Sequence, residues 1–172
     1  DIGVIGEGEE TMGELSGKPQ RMWPNHCVQG TKDAEFHPDL NMDAVQYIQK
    51  KGQNPSVDSY SAFRDNDQTA LTGLADHLKK QGVTELDVCG LATEYCVKFT
   101  ALDAKSMLPS VKVRFIEDAS RGIVPHDIAA AKAEMAAAGI ETVQSKNITT
   151  PDKTTAGNLH AEGGPDKKKA IS

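Results

Sequence analysis

Glu85-Leu86-Asp87-Val88-Cys89-Gly90-Leu91-Ala92-Thr93-Glu94-Tyr95-Cys96-Val97-Lys98-Phe99-Thr100-Ala101-Leu102-Asp103-Ala104-Lys105-Ser106-Met107 is the stretch that decides the fold. Glu85 to Cys89 reads as a strand and Gly90 to Tyr95 as a turn. Cys96 to Met107 then repeats its apolar positions, Val97, Phe99, Ala101, Leu102 and Ala104, as a helix does. A strand feeding a helix is half of a β-α-β unit, and Val111 to Ile116 alternates as the strand that completes it.

The pattern extends both ways. Downstream, Pro125 is placed to start an Ala-rich helix that Gly139 ends, and Glu141 to Val143 can form a last short strand. Upstream, Asp67 to Gln81 carries Ala70, Leu71, Leu74, Ala75 and Leu78 at helical spacing with Gly82 as a stop. Before it, Ala44 to Lys50 alternates through Val45, Tyr47 and Ile48, which predicts a strand with Lys51 at its carboxyl end. Alternating strands and helices predict an α/β fold, a three-layer sandwich with a parallel β-sheet flanked by helices.

Outside this region the periodicity fades. Asp1 to Gln20 is rich in Gly and Glu and reads as loop, and from Thr149 the chain turns to Thr, Lys, Gly, Pro and Asp, ending in Lys167-Lys168-Lys169, the composition of a disordered tail. The expected organisation is a loop-rich segment 1–22, a single domain over 23–148 and a tail over 149–172.

Nineteen basic against 25 acidic residues give a net charge of −6, without a basic run to track phosphates, so nucleic acid is not an expected partner. No apolar stretch approaches the roughly 20 residues of a membrane span, and the acidic start is unlike a signal peptide. Three cysteines, Cys27, Cys89 and Cys96, suit free thiols in a reducing compartment, which predicts a cytoplasmic protein.

Ligands of open parallel sheets bind beyond the carboxyl ends of the strands, the edge on which Lys51 and Cys96 are expected. A thiol in the first turn of a helix faces unpaired N–H groups, and a nearby ammonium adds to the bias toward thiolate. The pattern by itself leaves Cys96 two readings, a nucleophile or a small buried hydrophobe between Tyr95 and Val97.

The run from Gly90 to Thr100, continuing through Ala101-Leu102-Asp103-Ala104, closely resembles the nucleophile loop and helix of nicotinamidases, cysteine amidohydrolases of the isochorismatase-like family. Two further blocks resemble the same family in the same order. They are Trp23-Pro24-Asn25-His26-Cys27-Val28-Gln29-Gly30-Thr31 and Lys51-Gly52-Gln53-Asn54-Pro55, the latter running on through Asp58-Ser59-Tyr60-Ser61-Ala62-Phe63.

The resemblance implies that Cys96 is the nucleophile, Lys51 the lysine of the catalytic triad, and the backbone N–H groups of Ala92 and Cys96 the oxyanion hole, with a cis Leu91-Ala92 bond. It implies that Trp23 and Tyr60 enclose a pyridine ring, Tyr60 being equally well read as a core residue. It also implies that His26 is a ligand of a divalent metal ion, zinc, iron or manganese, although a lone His reads as readily as a surface residue. His37 is assigned to structure, and His77, His126 and His160 to the surface.

The family begins with a hydrophobic strand ending in an Asp-x-Gln-x-Asp-Phe pattern, whose first Asp completes the triad, followed by an Asp-x-His segment. Neither precedes Trp23, and residues 1–22 hold no His. The sequence therefore reads as the carboxyl-terminal portion of a longer chain, its N-terminal segment supplied by the same or another chain. The implied activity is hydrolysis of nicotinamide, or a related aromatic amide such as pyrazinamide, to the acid and ammonia in pyridine nucleotide salvage, with a homo-oligomer as a family expectation. The alternatives are a different amidase or carbamoyl hydrolase on this fold, and a non-catalytic binding module.

Overall fold

The structure, a computed structural model, describes residues 11–148. It opens on an antiparallel hairpin, β1 (Thr11–Leu15) and β2 (Lys18–Met22), in which Leu15 pairs with Lys18 and Met12 with Arg21. The turn is Ser16-Gly17 with φ of 53° and 80°, and two positive φ values match the twist of the flanking strands. Within 11–20 the expectation of a loop is thus corrected. Gly13 and Pro19 break any alternation in the strands, so the turn rather than an apolar pattern specifies the pairing. Residues 1–10 and the tail expected from Thr149 lie outside the described residues.

The strand expected over Ala44 to Lys50 does not form among the described residues. Met42–Ala44 is a 3-10 turn whose Asn41 side chain accepts the Asp43 N–H, and only Gln46 of the following run is bridged. Alternation there serves another contact: the Tyr47 ring stacks on His77, with centroids 3.7 Å apart and planes 16° apart. His77 is therefore half-buried rather than a plain surface residue, and Lys51 sits in irregular chain rather than at a strand end.

Helix α1 (Leu74–Lys80) starts later than Asp67. The buried Asp65 carboxylate accepts the Thr69 hydroxyl at 2.7 Å, the Thr69 N–H at 2.8 Å and the Ala70 N–H at 3.0 Å, and Gln68 takes φ 60°. Side-chain capture of backbone donors competes with helix formation. Leu71 consequently faces solvent, while Leu74 and Leu78 bury.

These bonds, the Thr69 hydroxyl first, hold the Asp65 carboxyl below its ordinary value of 3.8. A depressed folded-state value contributes stability that is complete above the unfolded value and disappears as pH falls through the folded one. Asp65→Asn is accordingly expected to melt below the parent at pH 7, with the gap closing as thermal melts are taken to more acid pH below about 4.

From α1 onward the fold is a parallel sheet flanked by helices, in the order β3 (Glu85–Leu91), α2 (Lys98–Met107), β4 (Lys112–Arg121), α3 (Pro125–Ala137), β5 (Glu141–Val143). The α/β expectation holds. β4 is central, pairing Val88 with Phe115 on one side and Phe115 with Thr142 on the other. The register slips between Val88 and Gly90, the latter at φ 122°, so the end of β3 is re-aimed as it approaches the turn that carries Cys96. Between β3 and α2 the chain forms five residues of π-helix, Thr93–Val97, so helical structure begins at Thr93 instead of Cys96.

The core gathers Phe63, Leu74, Leu108, Val113, Phe115 and Met135, each at most 2 % exposed. Outside it, the Arg64 guanidinium forks onto both carboxylate oxygens of Asp103 and fixes the loop before α1 to α2. No helix among the described residues is long and apolar enough to cross a membrane.

Candidate active site

Cys96 is the fourth residue of the π turn, whose entrance is the cis Leu91-Ala92 peptide. The Ala92 carbonyl accepts the N–H groups of Tyr95 and Val97, both at 3.1 Å, which closes the wide turn, and Thr93, Glu94 and Val97 bury while Cys96 stays half-buried. Single π turns inserted before α-helices often mark functional positions. Here the insertion presents the thiol where β3 ends.

Lys51 comes to this sulfur from 45 residues upstream. Its Nζ lies 3.4 Å from Cys96 Sγ and donates to the Ser59 carbonyl at 2.7 Å. Ser59 is held in turn, its N–H donating to Asp58 Oδ1 at 2.7 Å, and the other oxygen of Asp58 accepts the Gln20 amide at 2.9 Å. The hairpin, the 58–60 segment, Lys51 and Cys96 thus form one connected series.

An aromatic wall adjoins the series. Trp23 meets Tyr95 edge-on at 4.7 Å and Tyr60 meets Tyr95 at 5.4 Å, and the Tyr60 hydroxyl accepts from both Trp23 Nε1 and Gln20 Nε2 at 3.2 Å. The Arg21 guanidinium sits 5.1 Å from the Trp23 ring and 5.3 Å from the Tyr95 ring. Burial pushes the Tyr60 phenol above its usual value, the Trp23 N–H opposes this, and the Asp58 charge adds to it. A neutral Tyr60 is what the wall therefore presents at physiological pH.

Of the residues singled out in the sequence, the structure brings Lys51 to Cys96 and Trp23 to Tyr60, with Ala92 at the root of the turn. His26 stands apart. It is exposed, and because a carbonyl can only accept, its Nδ1 must donate to the Pro24 oxygen at 2.6 Å. That leaves Nε2 as the nitrogen with metal-binding character, the usual arrangement of a ligating His. One ligand does not make a site, and no group of three or more His, Cys, Asp or Glu able to hold an ion occurs among the described residues.

Sequence reasoning missed Tyr95, Gln20 and the supporting role of Asp58 and Ser59. Tyr95 stands in the deciding stretch, where its position gives only a turn, and Gln20 lies in a segment without periodicity. A cleft of about 270 Å³ between the hairpin and the 56–58 and 66–67 segments shares Gln20 and Asp58 with this network, yet includes neither Lys51 nor Cys96. The Lys51–Cys96 pair lies outside this cleft.

Residues 12–147 match the Isochorismatase domain, and the chain belongs to that family. Within it, the chain is similar to the nicotinamidase of Escherichia coli (strain K12), at 50 % identity over 131 residues covering 75 % of this chain and 61 % of that protein. Among solved structures it resembles PnC1 from L. infantum in complex with nicotinate, with a TM-score of 0.69 and 35 % identity over 73 % of this chain and 62 % of that one. It also resembles the pyrazinamidase of Pyrococcus horikoshii in complex with zinc, with a TM-score of 0.61 and 44 % identity over 72 % and 64 % of the two chains. The chain therefore spans about three fifths of the length of these relatives.

Proposed function

We propose that the protein hydrolyses nicotinamide to nicotinate and ammonia, with Cys96 as nucleophile, and the carrying observation is the Lys51 ammonium 3.4 Å from the Cys96 sulfur. The identity to a nicotinamidase and the nicotinate held by a structural relative support the substrate. A flat pyridine ring suits the wall of Trp23, Tyr60 and Tyr95, against which aromatic faces and edges pack favourably. Residues 23–148 form the catalytic unit on this reading, and the hairpin supports it through Gln20.

Lys51 favours the Cys96 thiolate, which attacks the carboxamide carbon and passes its charge to the carbonyl oxygen. The carbonyl π bond opens, and the backbone N–H groups of Ala92 and Cys96 are assigned to the resulting oxyanion, each such donor being worth ~3 kcal/mol. The oxyanion re-forms the carbonyl, the carbon–nitrogen bond breaks, and the thiol's proton leaves on ammonia. Water then adds to the thioester carbon, the carbon–sulfur bond breaks, and nicotinic acid and the free thiol are restored.

A divalent ion is assigned to the protein by likeness to the zinc complex, with His26 as one ligand through Nε2. The described residues do not complete its coordination, and no step above passes through it. The three free thiols support a reducing compartment, the cytoplasm on this reading, where the reaction would serve pyridine nucleotide salvage.

Lys51→Met tests the assignment, because it retains the aliphatic stem and removes the charge. Ammonia release from nicotinamide is expected to fall about 10²–10³-fold. Parental turnover in the folded variant would remove Lys51 from the chemistry, and turnover of other amides but not nicotinamide would point to a different amidase of this family.

A further inference from the structure

Glu94 is a charged residue only 4 % exposed, two positions before the nucleophile. It reaches out of the π turn to a different part of the chain. Its Oε1 accepts the Ile123 N–H at 2.7 Å and the Val124 N–H at 2.9 Å, in the connection where β4 passes into α3. Its Oε2 is buried and has no hydrogen-bond partner among the described residues. Burying a carboxylate costs several kcal/mol unless its contacts offset the loss of water, so an alanine or leucine would be the easier occupant of this place.

The surroundings are shaped for the carboxylate. A Cβ on Gly122 would stand 2.3 Å from Oε2 and 2.4 Å from Ile128 Cγ1, so a side chain there would push the carboxylate off its donors. The Ile123 side chain is 60 % exposed, so at this residue the bond from its N–H to Glu94, rather than side-chain burial, is the tie to the rest of the fold. On the other side of the tie is a π turn, a geometry that persists when its surroundings hold it.

We propose that Glu94 is a positioning residue for Cys96: by binding the Ile123 and Val124 N–H groups from within the π turn, it fixes the Ala92–Cys96 backbone that carries the thiol. This deepens the reading above and rests on Cys96 being the nucleophile. Glu94 itself touches no reacting atom.

The test follows iodoacetamide alkylation of Cys96, read on the Cys96 peptide by mass spectrometry so that Cys27 and Cys89 do not interfere, alongside kcat and KM for nicotinamide. Glu94→Ala is expected to slow alkylation and lower kcat by about 10–100-fold with little change in KM, the size of effect that a misplacement near 1 Å produces. Glu94→Gln, which keeps an acceptor for the two N–H groups, is expected to recover most of both rates. Gly122→Ala leaves Glu94 in the sequence but displaces its carboxylate, and serves if Glu94→Ala does not fold; it should reproduce the loss. A folded Glu94→Ala or Gly122→Ala protein with parental alkylation and kcat overturns the proposal. If the parent does not turn over nicotinamide but Cys96 alkylation still depends on Glu94, the positioning role stands and the substrate assignment falls.

Discussion

Cys96→Ala is expected to lower ammonia release from nicotinamide by at least about 10⁴-fold, since no other atom of the site can form the thioester. The substitution removes one half-buried sulfur and leaves Lys51 its bond to the Ser59 carbonyl, so the wall and the π turn should persist. Thermal melts should therefore show a shift within about 2 °C, separating lost chemistry from lost structure. A folded Ala variant that keeps a tenth of the parental rate would mean that water, rather than the thiol, attacks the amide.

Phe115→Ala is expected to cost about 3–5 kcal/mol in urea unfolding, the largest single effect on stability that the fold predicts. The ring is 1 % exposed on the central strand, between Val88 of β3 and Thr142 of β5, and its neighbours belong to regular elements that cannot collapse onto the gap. Ile123→Ala is the control: it also shortens an apolar residue, in the connection just after β4, but from a position 60 % exposed, and should change stability by no more than about 0.5 kcal/mol. Equal losses in the two variants would show that burial at β4 is not what holds the sheet.

How far the sequence revealed these features depended on what specifies each one. β3, α2, β4, α3 and β5 were legible because one buried face imposes a period, and Pro125 and Gly139 mark the limits of α3 through their own backbone preferences. The hairpin is not legible in the apolar pattern because Ser16-Gly17 specifies it through turn geometry, with no apolar face to announce it. α1 is shorter than its periodic pattern because Asp65 takes the Thr69 and Ala70 N–H groups, a competition that a periodic count cannot register. At the site, Lys51 and Cys96 were visible through motif resemblance. Their supports, Asp58, Gln20 and Glu94, act through hydrogen bonds spanning 29 to 40 residues, which no local pattern encodes.

Trp23 is the chain's one tryptophan, and it stands in the aromatic wall with its indole N–H on the Tyr60 hydroxyl and Tyr95 against its ring. Excited at 295 nm, a wavelength chosen to spare tyrosine, the protein would emit from this one place. Occupation of the wall by a pyridine ring should then appear as quenching or a spectral shift in unlabelled protein, so that binding can be titrated in Cys96→Ala, where no turnover consumes the ligand.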